Sequence, residues 1–150
     1  MIEHQALESF ASQDERGSPD VLIVEDDPEI NELIGAYVEL SGFPCRRVMR
    51  GEDALREVRE HRPGLMVLDV MLPDLDGFEI CRRIRADSNT ATIPIIMLTA
   101  LDPEQTRCRA IECGASDYLT KPFDPDRLMA AIRRHVENGG HVAAHSMDGI

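Results

Sequence analysis

Short apolar runs alternate five times with segments of helical period along the central part of this 150-residue chain. Such alternation is typical of βαβ units, in which parallel strands are joined by helices that cross over the sheet. The apolar runs are Val21 to Val24, Cys45 to Met49, Leu65 to Asp69, Ile93 to Thr99 and Asp117 to Thr120. We therefore predict an α/β fold with a five-stranded parallel sheet and five helices.

The helical segments carry apolar stripes that would face this sheet. In the first, the stripe follows Pro28 at spacings of three and four residues and consists of Ile30, Leu33, Ile34, Tyr37 and Val38. In the last, the same spacing is found in Leu128, Ala131, Ile132 and Val136. Shorter helices are predicted over 51–61, 77–86 and 103–113.

The distribution of charge among the apolar runs predicts the order of the strands. Central parallel strands are apolar on both faces, whereas edge strands are short or carry charge. The second run contains Arg46 and Arg47, and the fifth has only a few residues, so both belong at the edges. With right-handed crossovers, this fits the known flavodoxin-like order 2-1-3-4-5.

Composition limits the number of domains and the classes of partner. A chain of 150 residues with 43% apolar content can bury one substantial core. Its net charge of −12, without a local basic patch, predicts no direct binding to nucleic acid and no binding to anionic membranes. Because no stretch approaches the roughly 18 apolar residues that span a bilayer, we expect a cytoplasmic protein. The four cysteines show no CxxC spacing and are expected to be reduced thiols.

Side chains capable of chemistry follow the apolar runs at their C-terminal ends. They are Glu25, Asp26, Asp27, Asp69, Thr99 and Lys121. Because the carboxyl ends of parallel strands share one edge of the sheet, we expect these side chains to meet there. Asp26 or Asp27 has an alternative role as the cap of the helix that starts near Pro28. Asp69 lies between two apolar runs, so its burial without a partner would be costly.

This set of side chains suits phosphoryl transfer, in which the protein mainly positions charge and a carboxylate can be the nucleophile. At about 5 Å and an effective dielectric near 20, two carboxylates repel each other by roughly 3 kcal/mol. Mg²⁺ and Lys121 would balance the charges of Glu25, Asp26 and Asp69 and leave metal positions for phosphoryl oxygens. We therefore predict a Mg²⁺-dependent site.

Four blocks of this sequence resemble the response regulator receiver domain of two-component signalling. They are VLIVEDD at 21–27, LDVMLPDLDGFEI at 68–80, PIIMLTA at 94–100 and DYLTKPF at 117–123. The resemblance covers about residues 20 to 137. It leaves residues 1–19 as an N-terminal extension, expected to be flexible, and residues 138–150 as a C-terminal tail or linker.

The resemblance implies a role for the acidic residues. Asp69 would be the phosphoacceptor in a domain that is not a classical enzyme, with only weak self-phosphotransfer and autodephosphorylation. Asp26 would contact Mg²⁺ directly and Glu25 through water. The backbone carbonyl of Met71 would be a further contact to the metal.

The resemblance also implies how the acceptor site would bind phosphate and transmit its state. Thr99 and Lys121 would contact phosphoryl oxygens. Tyr118 would be the switch aromatic whose rotamer follows the movement of Thr99, although a half-exposed aromatic on an edge strand is the alternative. The peptide bond between Lys121 and Pro122 would be cis.

The partners implied are a histidine kinase or histidine phosphotransfer protein and a downstream output domain or protein. The donor would dock beside the first helix and the loop at 122–126. Many related receivers dimerise through an acid and an arginine, but this chain has Arg127 and Ala131 at the corresponding positions. A weak or phosphorylation-dependent homodimer is therefore the expectation.

Three other interpretations are considered at this point. An aspartyl-nucleophile phosphatase would commonly carry an acid two residues after the nucleophile, where this chain has Met71. A flavin-binding protein would share the sheet order, but the acidic loop from Glu25 to Pro28 would repel a phosphate. A degenerate receiver that acts as a scaffold is disfavoured because every acceptor-site position is filled.

Overall fold

The structure is a computed structural model that describes residues 20–137, so the proposed extension at 1–19 and tail at 138–150 lie outside the described residues. Strands and helices alternate throughout. The elements are β1 (Val21–Val24), α1 (Pro28–Leu40), β2 (Cys45–Val48), α2 (Gly51–His61), β3 (Leu65–Asp69), α3 (Gly77–Ala86), β4 (Ile95–Thr99), α4 (Pro103–Cys113), β5 (Asp117–Thr120) and α5 (Pro125–Glu137). Within residues 20–137, no helix is long and apolar enough to cross a membrane.

The five strands form one parallel sheet in the order β2-β1-β3-β4-β5, which confirms the predicted fold class and strand order. The three central strands are buried along their whole length, whereas β2 is partly exposed. The register pairs Asp69 of β3 with Leu98 of β4, and Thr99 of β4 with Thr120 of β5. The C-terminal ends of these strands therefore lie side by side.

Alternate residues of the central strands pack into two cores, one on each face of the sheet. On one face, α1 and α5 contribute Ile34, Val38, Leu128 and Ile132. On the other face, α2, α3 and α4 contribute Ala54, Val58, Phe78, Ile84 and Ala110. Burial on both faces explains why β1, β3 and β4 are almost entirely apolar.

Two predicted strands are shorter in the structure than in the sequence interpretation. The second strand ends at Val48 rather than Met49, and the fourth begins at Ile95 rather than Ile93. Pro94 has no backbone N–H to donate to a neighbouring strand, so it precedes the ladder and only accepts, from the Met66 N–H at 2.8 Å.

The inner face of α1 is also rotated from its predicted position. Leu33 is 46% exposed, whereas Asn31 and Gly35 are buried. Arg47 of β2 passes over Gly35, where an added Cβ would lie 2.8 Å from the Arg47 Cδ, and its guanidinium donates to the Asn31 Oδ1 at 3.1 Å. The Arg47 side chain therefore packs on α1 at the position where the sequence predicted an apolar side chain.

The buried carboxylate of Asp117 joins β5 to α5. The Asp117 Oδ2 lies 2.9 Å from the His135 Nε2, both side chains are buried, and Arg134 pairs with the same oxygen. Burial alone raises the pKa of Asp117, but the hydrogen bonds from His135, the Tyr118 N–H and Arg134 outweigh it and bring the pKa below its ordinary value.

Asp117→Asn is expected to lower the free energy of unfolding by about 2 kcal/mol, because it leaves two basic side chains without their anion. The loss should be present above about pH 4 and should fade as the pH falls through the depressed pKa of Asp117. Urea unfolding across this range measures it. Asp53→Asn, which removes an exposed partner of Arg56, is the matched control and should change stability by less than about 1 kcal/mol.

Candidate functional site

Acidic and basic side chains from three strand ends meet at the C-terminal edge of the sheet, as predicted. Carboxylate oxygens of Glu25, Asp26 and Asp69 lie within 4.8 Å of one another. Glu25 and Asp69 are buried, and Asp26 is exposed. The Lys121 Nζ lies 2.8 Å from the Glu25 Oε1 and 3.4 Å from the Asp69 Oδ1.

The two neighbouring acids after β1, Asp26 and Asp27, have different roles. Asp27 is the N-cap of α1, since its Oδ1 accepts hydrogen bonds from the N–H groups of Glu29 and Ile30 at 2.9 and 3.2 Å. The Asp27 N–H in turn donates to the Glu25 Oε2 at 3.1 Å. Because Asp27 caps the helix, Asp26 is left with no capping role and faces the acidic cluster.

Asn31 is a positioning residue that the sequence interpretation missed. Its side-chain amide donates to the carbonyl oxygens of Glu25 and Val48, both at 2.9 Å, and so holds the end of β1 against the end of β2. Its one sequence signal is a polar side chain within the apolar stripe of α1.

The backbone around Asp69 depends on a close approach by the start of α3. A Cβ added to Gly77 would lie 2.5 Å from the Asp69 carbonyl oxygen and 2.7 Å from the Val70 Cα. The Gly77 N–H donates to the Val70 carbonyl at 2.8 Å, and Met71 forms an isolated bridge with Asp76. Glycine is therefore required here, and the loop folds back tightly beside the Asp69 carboxylate.

Negative charge dominates the electrostatics of the site. Burial and the charge of Glu25 raise the pKa of Asp69 to about 7, against the opposing effects of Lys121 and the Met71 N–H. Burial alone lowers the pKa of Lys121, but its contacts with Glu25 and Asp69 bring it above the ordinary value. Lys121 is therefore charged, and one cation does not balance three clustered carboxylates.

The cluster fits a divalent cation that prefers oxygen ligands. The Glu25 Oε1 is buried and accepts no hydrogen bond, and its close contact with Lys121 is an ion pair without hydrogen-bond geometry. A buried carboxylate oxygen without such a partner is costly. Together with the exposed Asp26, these oxygens offer the hard ligands that Mg²⁺ takes.

The hydroxyl and aromatic residues occupy the neighbouring strand ends. The Thr99 Oγ1 is buried and accepts from the Leu101 N–H at 2.9 Å, while the Thr99 carbonyl accepts from the Lys121 N–H at 2.7 Å. The Lys121–Pro122 peptide is cis, as the resemblance implies. Tyr118 is 7% exposed and packs into the core, so the alternative of a half-exposed aromatic is wrong.

Comparison with known proteins agrees with this geometry. The family model of the response regulator receiver domain matches residues 21–133. The chain belongs to the response regulator receiver domain family. Receiver domains bind Mg²⁺ at an acidic pocket and are signalling phosphoacceptors rather than classical enzymes.

Similar proteins extend the comparison to whole response regulators. The chain is 49% identical over 113 residues to the transcriptional regulatory protein GltR of Pseudomonas aeruginosa, covering 75% of this chain and 47% of that protein. It is 39% identical over 131 residues to the DNA-binding dual master transcriptional regulator RpaA of a Synechocystis species, covering 85% and 54%. The chain thus spans about half the length of these relatives.

A solved structure supports the same assignment of this receiver domain. The crystal structure of a response regulator from Chloroflexus aurantiacus superimposes with a TM-score of 0.77 at 35% identity, covering 80% of this chain and 98% of that one. The receiver fold is therefore shared with solved members of the family.

Proposed function

We propose that this receiver domain accepts a phosphoryl group on Asp69, with Mg²⁺ held by Glu25, Asp26, Asp69 and the backbone carbonyl of Met71. The observation that carries the proposal is the burial of the Asp69 carboxylate within a cluster of three acids that also contacts Lys121. Burying a carboxylate among other acids destabilises the fold, and titratable groups in such unfavourable settings are concentrated at functional sites.

The side chains supply a simple path for phosphoryl transfer. An Asp69 carboxylate oxygen attacks the phosphorus of a phosphohistidine, the P–N bond breaks, and the imidazole leaves with the bonding electron pair and takes up a proton. Lys121 and Thr99 stabilise charge on the phosphoryl oxygens. Mg²⁺, when bound, neutralises the negative charge that otherwise repels the incoming phosphoryl group.

Phosphorylation is proposed to act on the face formed by α4, β5 and α5. The Thr99 Oγ1 accepts a hydrogen bond from the Leu101 N–H, which leaves its proton available to donate to a phosphoryl oxygen, and that new hydrogen bond would draw the side chain towards Asp69. Movement of Thr99 changes the space beside Tyr118, whose ring packs in the adjacent core. Thr99 and Tyr118 are therefore the proposed switch residues.

The proposed setting is a two-component pathway in the cytoplasm. A histidine kinase or histidine phosphotransfer protein would approach Asp69 beside α1 and the loop at 122–126. We propose residues 20–137 as the receiver unit, with residues 1–19 as an extension and residues 138–150 as a tail or linker. Its output would pass to a further domain or protein, and the receiver itself would bind neither nucleic acid nor membrane.

Acetyl phosphate with Mg²⁺ is expected to add one phosphoryl group to the protein, at Asp69. Intact-mass and peptide mass spectrometry locate the modification. Asp69→Asn should abolish labelling, because an amide oxygen is a poor nucleophile and its phosphoryl adduct does not accumulate. The matched control, Asp53→Asn, removes an exposed carboxylate in α2 and should label like the wild type. Equally efficient labelling of Asp69→Asn would refute the assignment.

The phosphorylated domain is expected to form at most a weak dimer through the face of α4, β5 and α5. The acid of β5 in this face, Asp117, is buried and already paired with His135 and Arg134 of its own chain. Arg127 and Ala131 stand where related receivers place an acid and an arginine. Light scattering over a concentration series measures the association, and a tight dimer through this face would contradict the prediction.

A further inference from the structure

Two cysteines lie in contact between α3 and α4, outside the acidic cluster. Cys81 of α3 is fully buried, and Cys113, the last residue of α4, is 2% exposed. The Cys81 thiol donates a hydrogen bond to the Cys113 carbonyl oxygen at 3.3 Å. The Cys113 thiol donates to the Ala110 carbonyl at 3.3 Å. The two cysteines are therefore in direct contact across a helix–helix interface.

The other two cysteines provide no such pair. Cys108 is exposed on α4, and Cys45 is half-buried at the edge strand, with its Sγ 3.8 Å from the Glu39 Oε2. Burial and the negative charge of Glu39 raise the pKa of the Cys45 thiol. All four thiols are free in the structure, and they offer an internal comparison between paired and single sites.

A half-buried cation beside the pair favours the thiolate form. The Arg85 Nε donates to the Gly114 carbonyl at 2.7 Å, so its guanidinium lies beside the end of α4. The neighbouring Cys81 thiol lowers the pKa of Cys113 against the effect of burial, and the charges of Arg82 and Arg85 act in the same direction. The thiolate is the reactive form of cysteine, so Cys113 is the nucleophile of the pair.

Cys113 is buried in the folded protein, but its position at a helix end allows local opening to expose it. Gly114 follows it with a φ of 88°, a left-handed conformation that ends α4. The last turn of a helix opens at lower free energy than its interior. A small oxidant therefore reaches Cys113 before it reaches Cys81, which lies within α3.

We propose that Cys81 and Cys113 are a reversible redox site, which closes to an intramolecular disulfide with hydrogen peroxide and fixes the end of α4 to α3. The Cys113 thiolate attacks a peroxide oxygen, the O–O bond breaks, and protonation releases one water and leaves a sulfenic acid. The Cys81 sulfur attacks the Cys113 sulfur, the S–O bond breaks, and a second water leaves. Two thiols are oxidised by two electrons, and one peroxide is reduced to two waters.

The bond would add a covalent link between elements that are otherwise held by packing and by hydrogen bonds such as that from Arg85 to the Gly114 carbonyl. A disulfide needs sulfur atoms about 2.05 Å apart, so the two side chains would have to draw together from the present contact, in which the Cys81 Sγ lies 3.3 Å from the Cys113 carbonyl oxygen. The chain between the two cysteines contains β4 and most of α4. Restricting the end of α4 would slow its local opening, and a thiol reductant would restore it by exchange.

The test uses the full chain carrying Cys45→Ala and Cys108→Ala, in which Cys81 and Cys113 are the two remaining cysteines. After treatment with hydrogen peroxide under native conditions, free thiols are alkylated in denaturant and peptides are mapped by mass spectrometry. The expected result is loss of two hydrogen atoms from the intact mass and a Cys81–Cys113 linked peptide, both reversed by dithiothreitol. Hydrogen exchange should slow in the last turn of α4.

Matched controls keep the result independent of folding. In the same background, Cys113→Ser should leave Cys81 reduced under conditions that oxidise the pair, because the accessible nucleophile is gone. Wild-type protein treated in the same way should give the same linked peptide, which would show that the link does not result from the Cys45→Ala and Cys108→Ala substitutions. Recovery of both thiols fully alkylated, oxidation of Cys113 to sulfinic acid without a link, or a link from either cysteine to Cys108 would overturn the proposal.

Discussion

Metal-free protein carrying Asp69→Asn is expected to be more stable than the wild type by as much as about 4 kcal/mol near pH 8. The reason is the rise in the Asp69 pKa from 3.8 to about 7, since each unit of difference between the folded and unfolded states is worth about 1.4 kcal/mol. Above pH 7, both states carry the charge, and the folded state bears the whole cost of burying it next to Glu25. The amide of the variant carries no charge and avoids that cost.

The sign of the pH dependence distinguishes this effect from a general change in packing. Between the two pKa values the folded state binds more protons than the unfolded state, so the free energy of unfolding of the wild type falls as the pH rises. The advantage of Asp69→Asn should shrink to about 1 kcal/mol near pH 4.5. Urea unfolding in the presence of a chelator measures both values.

Mg²⁺ provides a second test of the same electrostatics. A cation bound among the three carboxylates stabilises the folded wild type by mass action. It should therefore reduce the difference in free energy of unfolding between the wild type and Asp69→Asn. Asp53→Asn is again the matched control, since it removes an exposed charge and should show neither the pH dependence nor the response to metal. If the difference in free energy of unfolding between Asp69→Asn and the wild type stayed constant from pH 4.5 to 8, ionisation of Asp69 would not destabilise the folded protein.

The edge of the sheet that carries the site could be predicted because parallel topology dictates it. Once β1, β3, β4 and β5 were identified as apolar runs, their C-terminal ends had to share an edge, and Glu25, Asp69, Thr99 and Lys121 followed with them. The identity of the capping acid could not be chosen from sequence. Asp26 and Asp27 are both acids, and their roles differ only in the direction that the backbone gives each side chain.

Features that depend on contacts between distant segments were not predictable from local pattern. The rotation of α1 depends on Arg47, which comes from a neighbouring strand and lies across Gly35. The pairing of Asp117 with His135 joins a strand to a helix, and a histidine in an amphipathic helix gives no signal of such a partner. The contact between Cys81 and Cys113 likewise arises from the packing of α3 on α4.

The phosphorylated form is expected to persist much longer than that of a variant carrying Met71→Asn and Leu101→Glu. Hydrolysis requires a water molecule in line with the phosphorus, and the side chains two residues after Asp69 and two residues after Thr99 are placed to orient it. Here they are Met71 and Leu101, which line the same groove as Asp26. Neither can accept a hydrogen bond of useful strength from water or take a proton, so acid–base help typically worth about 10²-fold or more is missing.

The measurement is the decay of phosphorylated protein after removal of the donor, with Mg²⁺ kept constant. The double variant should lose phosphate on the order of 10²-fold faster than the wild type, since its amide and carboxylate can hold and deprotonate the water. A Met71→Leu and Leu101→Met variant is the matched control, because it exchanges the same two positions while keeping them apolar, and it should decay at the wild-type rate. Wild-type decay as fast as that of the polar variant would show that these two side chains do not control hydrolysis. A slowly decaying phosphoryl group would suit a lasting output, such as gene regulation, better than a rapid motility response.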